Sequence, residues 1–306
     1  MSPPRHFLDL ADLTPGELRQ ILDRAARFKA GDGGSGVMAG KTLAMIFEKP
    51  STRTRVSFEV AAFQLGGHAI VLDGEQTQIK RGETIADTAR VLSRYVDGIL
   101  IRTDDPAKLE ELARHASVPV INGLTDRSHP CQIVADLLTF EERFGPVTGQ
   151  PIAWLGDGNN VAVSWMQAAA LLGSELRLAI PESRRPAADL VRASEALARQ
   201  HNGRLIFTTD PLAAVQDARA VITDTWVSMG DAAEQDGAPD PALTPFRVTE
   251  DIMAVAAEDA IFMHCLPAHR DEEVAASVLD GPRSAVWDEA ENRLHAQKAI
   301  LAWCYA

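Results

Sequence analysis

Cysteine is scarce in this chain: Cys131, Cys265 and Cys304 are the three among 306 residues. An odd number without framework spacing excludes a disulfide scaffold and predicts the reduced thiols of a cytosolic protein. Long apolar runs are also missing, and none reaches the length that spans a bilayer. The opening Met-Ser-Pro-Pro-Arg-His has no apolar signal core and leads into an acidic amphipathic stretch, so the expected location is the cytoplasm. Positive charge is in deficit, with 30 Lys and Arg against 43 Asp and Glu, a net charge of −13. That balance argues against a general binder of nucleic acid or anionic membrane. It leaves room for a small anionic ligand, because one local cationic cleft can oppose the global charge. At 46% hydrophobic and 24% charged, the composition is that of an ordinary globular protein, and the length predicts two domains.

Strand and helix patterns alternate throughout. Thr14-Pro-Gly-Glu17 reads as a capped helix start, with Leu18, Ile21, Leu22, Ala25 and Phe28 at helical spacing behind it. The glycine cluster Gly31-Asp-Gly-Gly-Ser-Gly36 ends that helix as a loop. Ser35 to Thr42 is a near-miss to a phosphate-binding P-loop. Ser35 stands where the first Gly belongs, and the motif opens a strand rather than a helix, so nucleotide hydrolysis is rejected. The apolar run Thr42–Phe47 reads as a buried parallel strand, and Val56, Val60 and Phe63 follow at helical spacing. Further strands are expected at 68–72, 98–102 and 118–122, with helices at 83–95, 106–115 and from His129 onward. This repeated βαβ pattern is an α/β fold, a parallel sheet covered by helices on both faces. Gly145-Pro-Val-Thr-Gly-Gln150 breaks the pattern and marks the boundary between domains 1–145 and 146–306.

The second half repeats the arrangement, with strands at 152–155, 176–180, 205–208, 220–223 and 260–263 and a tail helix at 290–303. Gly156-Asp-Gly-Asn-Asn160 lacks the third glycine of a dinucleotide fingerprint, since Val161 stands there. It reads as a strand-to-helix turn, with Asn160 a candidate ligand residue. The stretch from Met229 to Pro245 is expected to be a long polar loop beside a strand end.

Four polar motifs fall at strand ends, where α/β sheets place ligands. In Lys49-Pro-Ser-Thr-Arg-Thr-Arg55, Pro50 ends a strand, and Ser51 and Thr52 are good caps for the helix that follows. That first turn offers backbone amides, hydroxyls and the Arg53 guanidinium to one point, an anion site by construction. A capped helix start with surface arginines is the plain alternative. Arg102 ends an apolar strand, with Asp104 as its possible structural partner. His129 opens a helix with Gln132 one turn on, placed to donate to a carbonyl oxygen. Asp224-Thr-Trp-Val-Ser-Met229 and His264-Cys-Leu-Pro267 cap two later strands. His269 near Cys265 raises the thought of a metal, but no second ligand pair lies at zinc spacing. The residues alone suggest a small phosphorylated compound and an amine, joined in one cleft.

Together these motifs resemble the aspartate/ornithine carbamoyltransferase family. Ser51-Thr-Arg-Thr-Arg55 and His129-Pro-Cys-Gln132 carry the general likeness. Asp224-x-Trp-x-Ser-Met-Gly230 and His264-Cys-Leu-Pro267 are similar to its ornithine-using branch. The resemblance covers nearly the whole chain. It implies two α/β domains, the first binding carbamoyl phosphate and the second ornithine, with a last helix (291–306) packing back on the first domain. It implies a homotrimer with shared sites, and no metal or organic cofactor. Ser51, Thr52, Arg53, Thr54, Arg102 and Arg293 would hold the phosphate, with Gln78 reaching it from a neighbouring subunit. Arg102, His129 and Thr54 would polarise the carbamoyl carbonyl, and Gln132 would bind its amide group, with Pro130 and Cys131 in the same site. Asn160, Asp224, Ser228 and Met229 would bind ornithine. Cys265 and the backbone of Leu266 would flank the reacting amine. One departure is Lys80, which stands where the family usually has Gly. The implied reaction gives L-citrulline and phosphate, within arginine biosynthesis. Transfer to putrescine or an N-acylated ornithine, and a non-catalytic phosphometabolite-binding protein, are the rival readings.

Overall fold

The backbone amide of Thr14 donates to the Glu17 carboxylate at 2.9 Å, and the Glu17 amide donates back to the Thr14 hydroxyl at 3.2 Å. This capping box starts helix α1 (Pro15–Lys29), which buries Leu18, Ile21, Leu22, Ala25 and Phe28, the stripe that the spacing predicts. The structure, a computed structural model, describes residues 3–32, 34, 36–74, 77–226 and 240–306. Among the described residues no helix is long and apolar enough to cross a membrane.

The chain divides into two compact units: Met1–Leu138 with Asn292–Ala306, and Thr139–Glu291. The first holds β1 (Thr42–Phe47), α2 (Thr52–Gln64), β2 (His68–Asp73), α3 (Ile85–Leu92), β3 (Gly98–Arg102), α4 (Pro106–His115) and β4 (Val120–Leu124), and α5 (Pro130–Phe144) begins in it. All strand pairs are parallel, in the order β2-β1-β3-β4. The second holds β5 (Pro151–Leu155), α6 (Asn160–Leu172), β6 (Glu175–Ala179), α7 (Ala188–His201), β7 (Arg204–Thr208), α8 (Pro211–Val215), β8 (Ala220–Thr223), α9 (Glu250–Val255), β9 (Ile261–His264) and α10 (Ala276–Leu279). Its sheet is parallel too, in the order β7-β6-β5-β8-β9.

Strand order fixes where ligands fit. In the first sheet the chain runs β1 to β2 on one side and then crosses to β3 on the other. In the second it runs β5, β6, β7 and then crosses back to β8. Each sheet therefore has a switch point, between β1 and β3 and between β5 and β8, and crevices open outside the carboxyl ends of strands at such points. Ser51–Arg55, Arg102, Asn160 and Asp224 follow or end these four strands, and His129 and Cys265 follow the neighbouring β4 and β9.

The last helix, α11 (Val286–Cys304), supplies residues to the first unit from Asn292 onward. There Lys29 donates to Asn292 at 2.8 Å and Lys298 to Gln64 at 3.2 Å. Trp303 packs edge-on against Phe7, ring centroids 6.3 Å apart. The expected return of the tail helix onto the first domain is present in the fold.

Several expectations need correction. Val56, Val60 and Phe63 do lie on a helix, α2, but Val56 and Phe63 face outward: Phe63 is 77% exposed, and α2 buries Thr54, Phe58, Ala61 and Ala62. Alanines let the helix sit close on the sheet, which leaves the larger residues facing out. The helix expected at 83–95 spans only Ile85–Leu92, because Thr84 caps it, accepting the Asp87 amide. Pro241–Phe246, expected as loop, forms a 3-10 turn with Leu243 and Phe246 buried, while the rest of that stretch up to residue 239 lies outside the described residues. Lys80 sits in a 3-10 turn, Ile79–Arg81, whose left-handed position falls on Gly82 (φ +97), so no glycine is needed at 80.

Candidate active site

In the first unit, Ser51 caps α2 by accepting the Thr54 amide at 3.3 Å, which fixes Arg53 and Thr54 in the first turn beside the carboxyl end of β1. Thr52 is the first residue of that helix. The Phe47–Arg102 register pair brings the end of β3 alongside. Thr54 is buried, and its hydroxyl accepts from Arg293 Nη2 at 2.9 Å. The other arm of Arg293 donates from Nη1 to Gln132 Oε1 at 2.6 Å, and Gln132 Nε2 donates to Asp136 Oδ1 at 2.8 Å. Four side chains from α2, α11 and α5 thus form one buried chain of hydrogen bonds.

His129 lies just before α5 and is 4% exposed. Its pKa falls well below the ordinary 6.5, through burial first and then the guanidiniums of Arg293, Arg102 and Arg53. The ring is therefore neutral near pH 7 and has one N–H to donate. Arg102, also buried, reaches the Gly123 carbonyl at 3.5 Å. Three arginines acting on one imidazole make a strongly positive locality within an acidic chain. A compact dianion is its natural complement. Pro130 and Cys131 open α5, both buried. The Cys131 thiol donates to the Asn122 carbonyl at 3.2 Å, and burial pushes its pKa up to about 12, so it is no nucleophile.

In the second unit the turn after β5 holds Gly156 at φ +114, and a Cβ there would lie 3.1 Å from Trp226 Nε1. Asn159 caps α6, accepting the amides of Val161 and Ala162, and its Nδ2 donates to Asp224 Oδ2 at 2.7 Å. Asp224 follows β8. Its Oδ1 accepts the Thr225 amide at 2.8 Å and the Cys265 thiol at 3.0 Å. His264, fully buried, accepts the Leu266 amide at Nδ1 (2.9 Å), so its proton sits on Nε2, 3.2 Å from Glu273 Oε1. Its own amide donates to Glu289 at 2.8 Å. Leu266 has φ +57, and the Leu266–Pro267 peptide is cis.

The expected residues thus form two groups, each within one unit: Ser51, Thr52, Arg53, Thr54, Arg102, His129, Gln132 and Arg293 in the first, and Asp224 with Cys265 and Leu266 in the second. Asn160 is the first residue of α6, partly exposed. Gln78 is exposed and lines a hollow with Val71, Asp73, Thr77 and Glu83. Ser228 and Met229 lie outside the described residues. Sequence reasoning missed Asn159 and Asp136. An Asn just before a helix was a visible capping signal, whereas Asp136 sat on a helix face with nothing to mark it. Among the described residues, two trios offer metal-ligand atoms within 4.8 Å of one another, Asp224-His264-Cys265 and His269-Glu272-Glu273. Spacing along the sequence concealed the first, because β8 and β9 bring its members together.

Known proteins match this chain end to end. The profile of the aspartate/ornithine carbamoyltransferase carbamoyl-P binding domain matches residues 5–142, and that of the family's Asp/Orn binding domain matches residues 148–304. The ornithine carbamoyltransferase of Nitrobacter winogradskyi is 56% identical, over 98% of this chain and 97% of the relative. That of Mesorhizobium japonicum is 55% identical, over 98% of each. Among solved structures, the ornithine carbamoyltransferase from Pyrococcus furiosus superposes with a TM-score of 0.93 at 50% identity, covering 98% of this chain and 96% of that one. The enzyme from Gloeobacter violaceus gives 0.88 at 42% identity over the full length of both. With both domains matched in order and motifs gathered at both switch points, the chain belongs to the aspartate/ornithine carbamoyltransferase family.

Proposed function

We propose that this chain transfers the carbamoyl group of carbamoyl phosphate to the side-chain amine of L-ornithine, giving L-citrulline and phosphate. The observation that carries the reading is the buried chain of hydrogen bonds Thr54–Arg293–Gln132–Asp136 in the same unit as the buried His129 and Arg102. The carbamoyl phosphate-binding domain is assigned to 1–145 and the ornithine-binding domain to 146–306, with 291–306 returning to the first. Ser51, Thr52, Arg53, Thr54, Arg102 and Arg293 hold the phosphate. Arg102, Thr54 and the N–H of His129 face the carbonyl oxygen, beside Pro130 and Cys131. Gln132, oriented between Arg293 and Asp136, binds the carbamoyl amide.

Asn160, Asp224, Ser228 and Met229 bind the α-amino and α-carboxyl ends of ornithine, and Cys265 and the Leu266 backbone flank the reacting amine. The neutral amine attacks the carbamoyl carbon, the bond from that carbon to the bridging oxygen breaks, and phosphate leaves with that bond's electron pair and takes up the proton lost by the amine. Holding both substrates in register is worth up to about 7–11 kcal/mol in favourable cases. Loss of one donor to the developing oxyanion typically reduces the rate by about 10²–10³.

The protein acts in the cytoplasm, in arginine biosynthesis, as a homotrimer whose neighbouring subunit lends Gln78 to the phosphate. Exposed Val56 and Phe63, both on α2, support burial of that helix's outer face by another copy, since soluble monomers rarely expose clustered large apolar side chains. Incubating the protein with carbamoyl phosphate and, in turn, ornithine, N-acetylornithine, putrescine and aspartate tests the substrate assignment. Citrulline from ornithine, with little turnover of the rest, is the expected outcome.

A further inference from the structure

Asn122, in β4, is fully buried and every polar atom of its side chain is engaged. Its Nδ2 donates to the Leu8 carbonyl at 2.8 Å and to the Ser128 hydroxyl at 3.2 Å. Its Oδ1 accepts the Leu124 amide at 2.9 Å. The site calls for one acceptor and two donors on a short stem. Among side chains of that length only the Asn amide supplies them, since Asp offers no donor when ionised and Ser offers one.

The two ends of this amide lead to different catalytic groups. Leu124 has φ +151, a region that L side chains rarely adopt, and the bond to Oδ1 holds it there. Leu124 is the register partner of Arg102, at the point where the β3–β4 ladder shifts, and its carbonyl accepts the Thr103 amide at 3.1 Å. Ser128 is the residue before His129. It closes a tight turn with Thr125, whose amide donates to the Ser128 carbonyl at 3.0 Å and whose hydroxyl accepts the Ser128 amide at 3.3 Å. One side chain thus braces both the strand end that carries Arg102 and the turn that delivers His129.

We infer that Asn122 is a positioning residue for carbamoyl transfer, fixing the Arg102 guanidinium relative to the His129 ring. The inference rests on the reading above, in which these two groups meet the carbamoyl carbonyl. Of the groups that hold the phosphate, Arg102 alone runs through Asn122, while Ser51, Thr52, Arg53, Thr54 and Arg293 keep their places without it. Loosening it therefore reduces the chemical step more than it reduces binding.

The test compares Asn122→Ala and Ser128→Ala with wild type, measuring kcat by citrulline formation and the carbamoyl phosphate Kd by calorimetry. A displacement of about 1 Å is enough to reduce kcat on the order of 100-fold in Asn122→Ala and about tenfold in Ser128→Ala, with Kd held within about threefold. Ser128→Ala removes a single hydroxyl, and it decides alone if Asn122→Ala does not fold. A folded variant of either kind that keeps wild-type kcat and shows only a lower Tm overturns the inference, as does a fall in kcat matched by an equal loss of affinity. If wild type turns over another amine of the panel, the substrate assignment fails, and the same comparison is made with that amine. A wild type inactive with every amine overturns both.

Discussion

The thiol of Cys265 lies 3.0 Å from the Asp224 carboxylate, 41 positions apart in sequence and joined by the pairing of β8 with β9. With Asn159 on its other oxygen, Asp224 is held so that thiol and carboxylate present one polar face. Cys265→Ala should therefore impair ornithine use while leaving carbamoyl phosphate binding in the first unit intact. Asp224→Asn should lower kcat/KM for ornithine by about 2–5 kcal/mol, the usual loss for one partner of a desolvated charged contact. Equal damage to both substrates, measured by calorimetry and steady-state kinetics, would make the pair structural.

Arg53→Ala removes one of three guanidiniums but none of the buried hydrogen bonds running from Thr54 through Arg293 to Gln132. Carbamoyl phosphate affinity should fall by about 1.5–3 kcal/mol, typical of a charged hydrogen bond, with Tm within a few degrees of wild type. An unchanged Kd would remove Arg53 from the anion site.

Most of the framework was legible because its signals are local. The capping box at Thr14, the apolar run of β1 and the glycine turn after β5 each depend on neighbours within a few residues. The motif residues were visible because they sit at strand ends. What the sequence left hidden depends on distant partners. Asp136 matters because Gln132, one turn before it, ties it to Arg293 of α11, and Asn122 because its amide reaches the amino-terminal Leu8. Phe63 and Val56 carried a helical apolar spacing that normally marks core, yet α2 turns that stripe outward, which a single chain's periodicity does not distinguish from burial.

His129 links the site to pH. Its pKa is lower in the folded protein than its ordinary 6.5, so below about that pH the unfolded chain binds more protons there. The ring thus lowers stability progressively as pH falls from 7 towards 5, and stability returns as pH rises. Melting curves of the ligand-free protein should show His129→Asn losing less Tm over that interval than wild type. Parallel losses would contradict the buried, neutral ring. In steady-state kinetics the same variant should lower kcat with little effect on carbamoyl phosphate binding.

Shared sites make a separate prediction. Gln78→Glu would set a carboxylate against a neighbour's phosphate, and like charges brought together in a desolvated site cost several kcal/mol. Gln78→Glu and Arg53→Ala should each be nearly inactive alone. Dissociated, mixed and reassembled, they should regain activity in proportion to interfaces that pair an intact Arg53 with an intact Gln78. Hybrids that form and stay inactive would place each site within one chain.

The most direct test of the whole account is the reaction itself. Purified protein given carbamoyl phosphate and L-ornithine should release citrulline and phosphate in equal amounts, with no added metal or organic cofactor, and His129→Ala should lower kcat by about 10²–10³. Phosphate release without citrulline, or citrulline formation unaffected by His129→Ala, would contradict it.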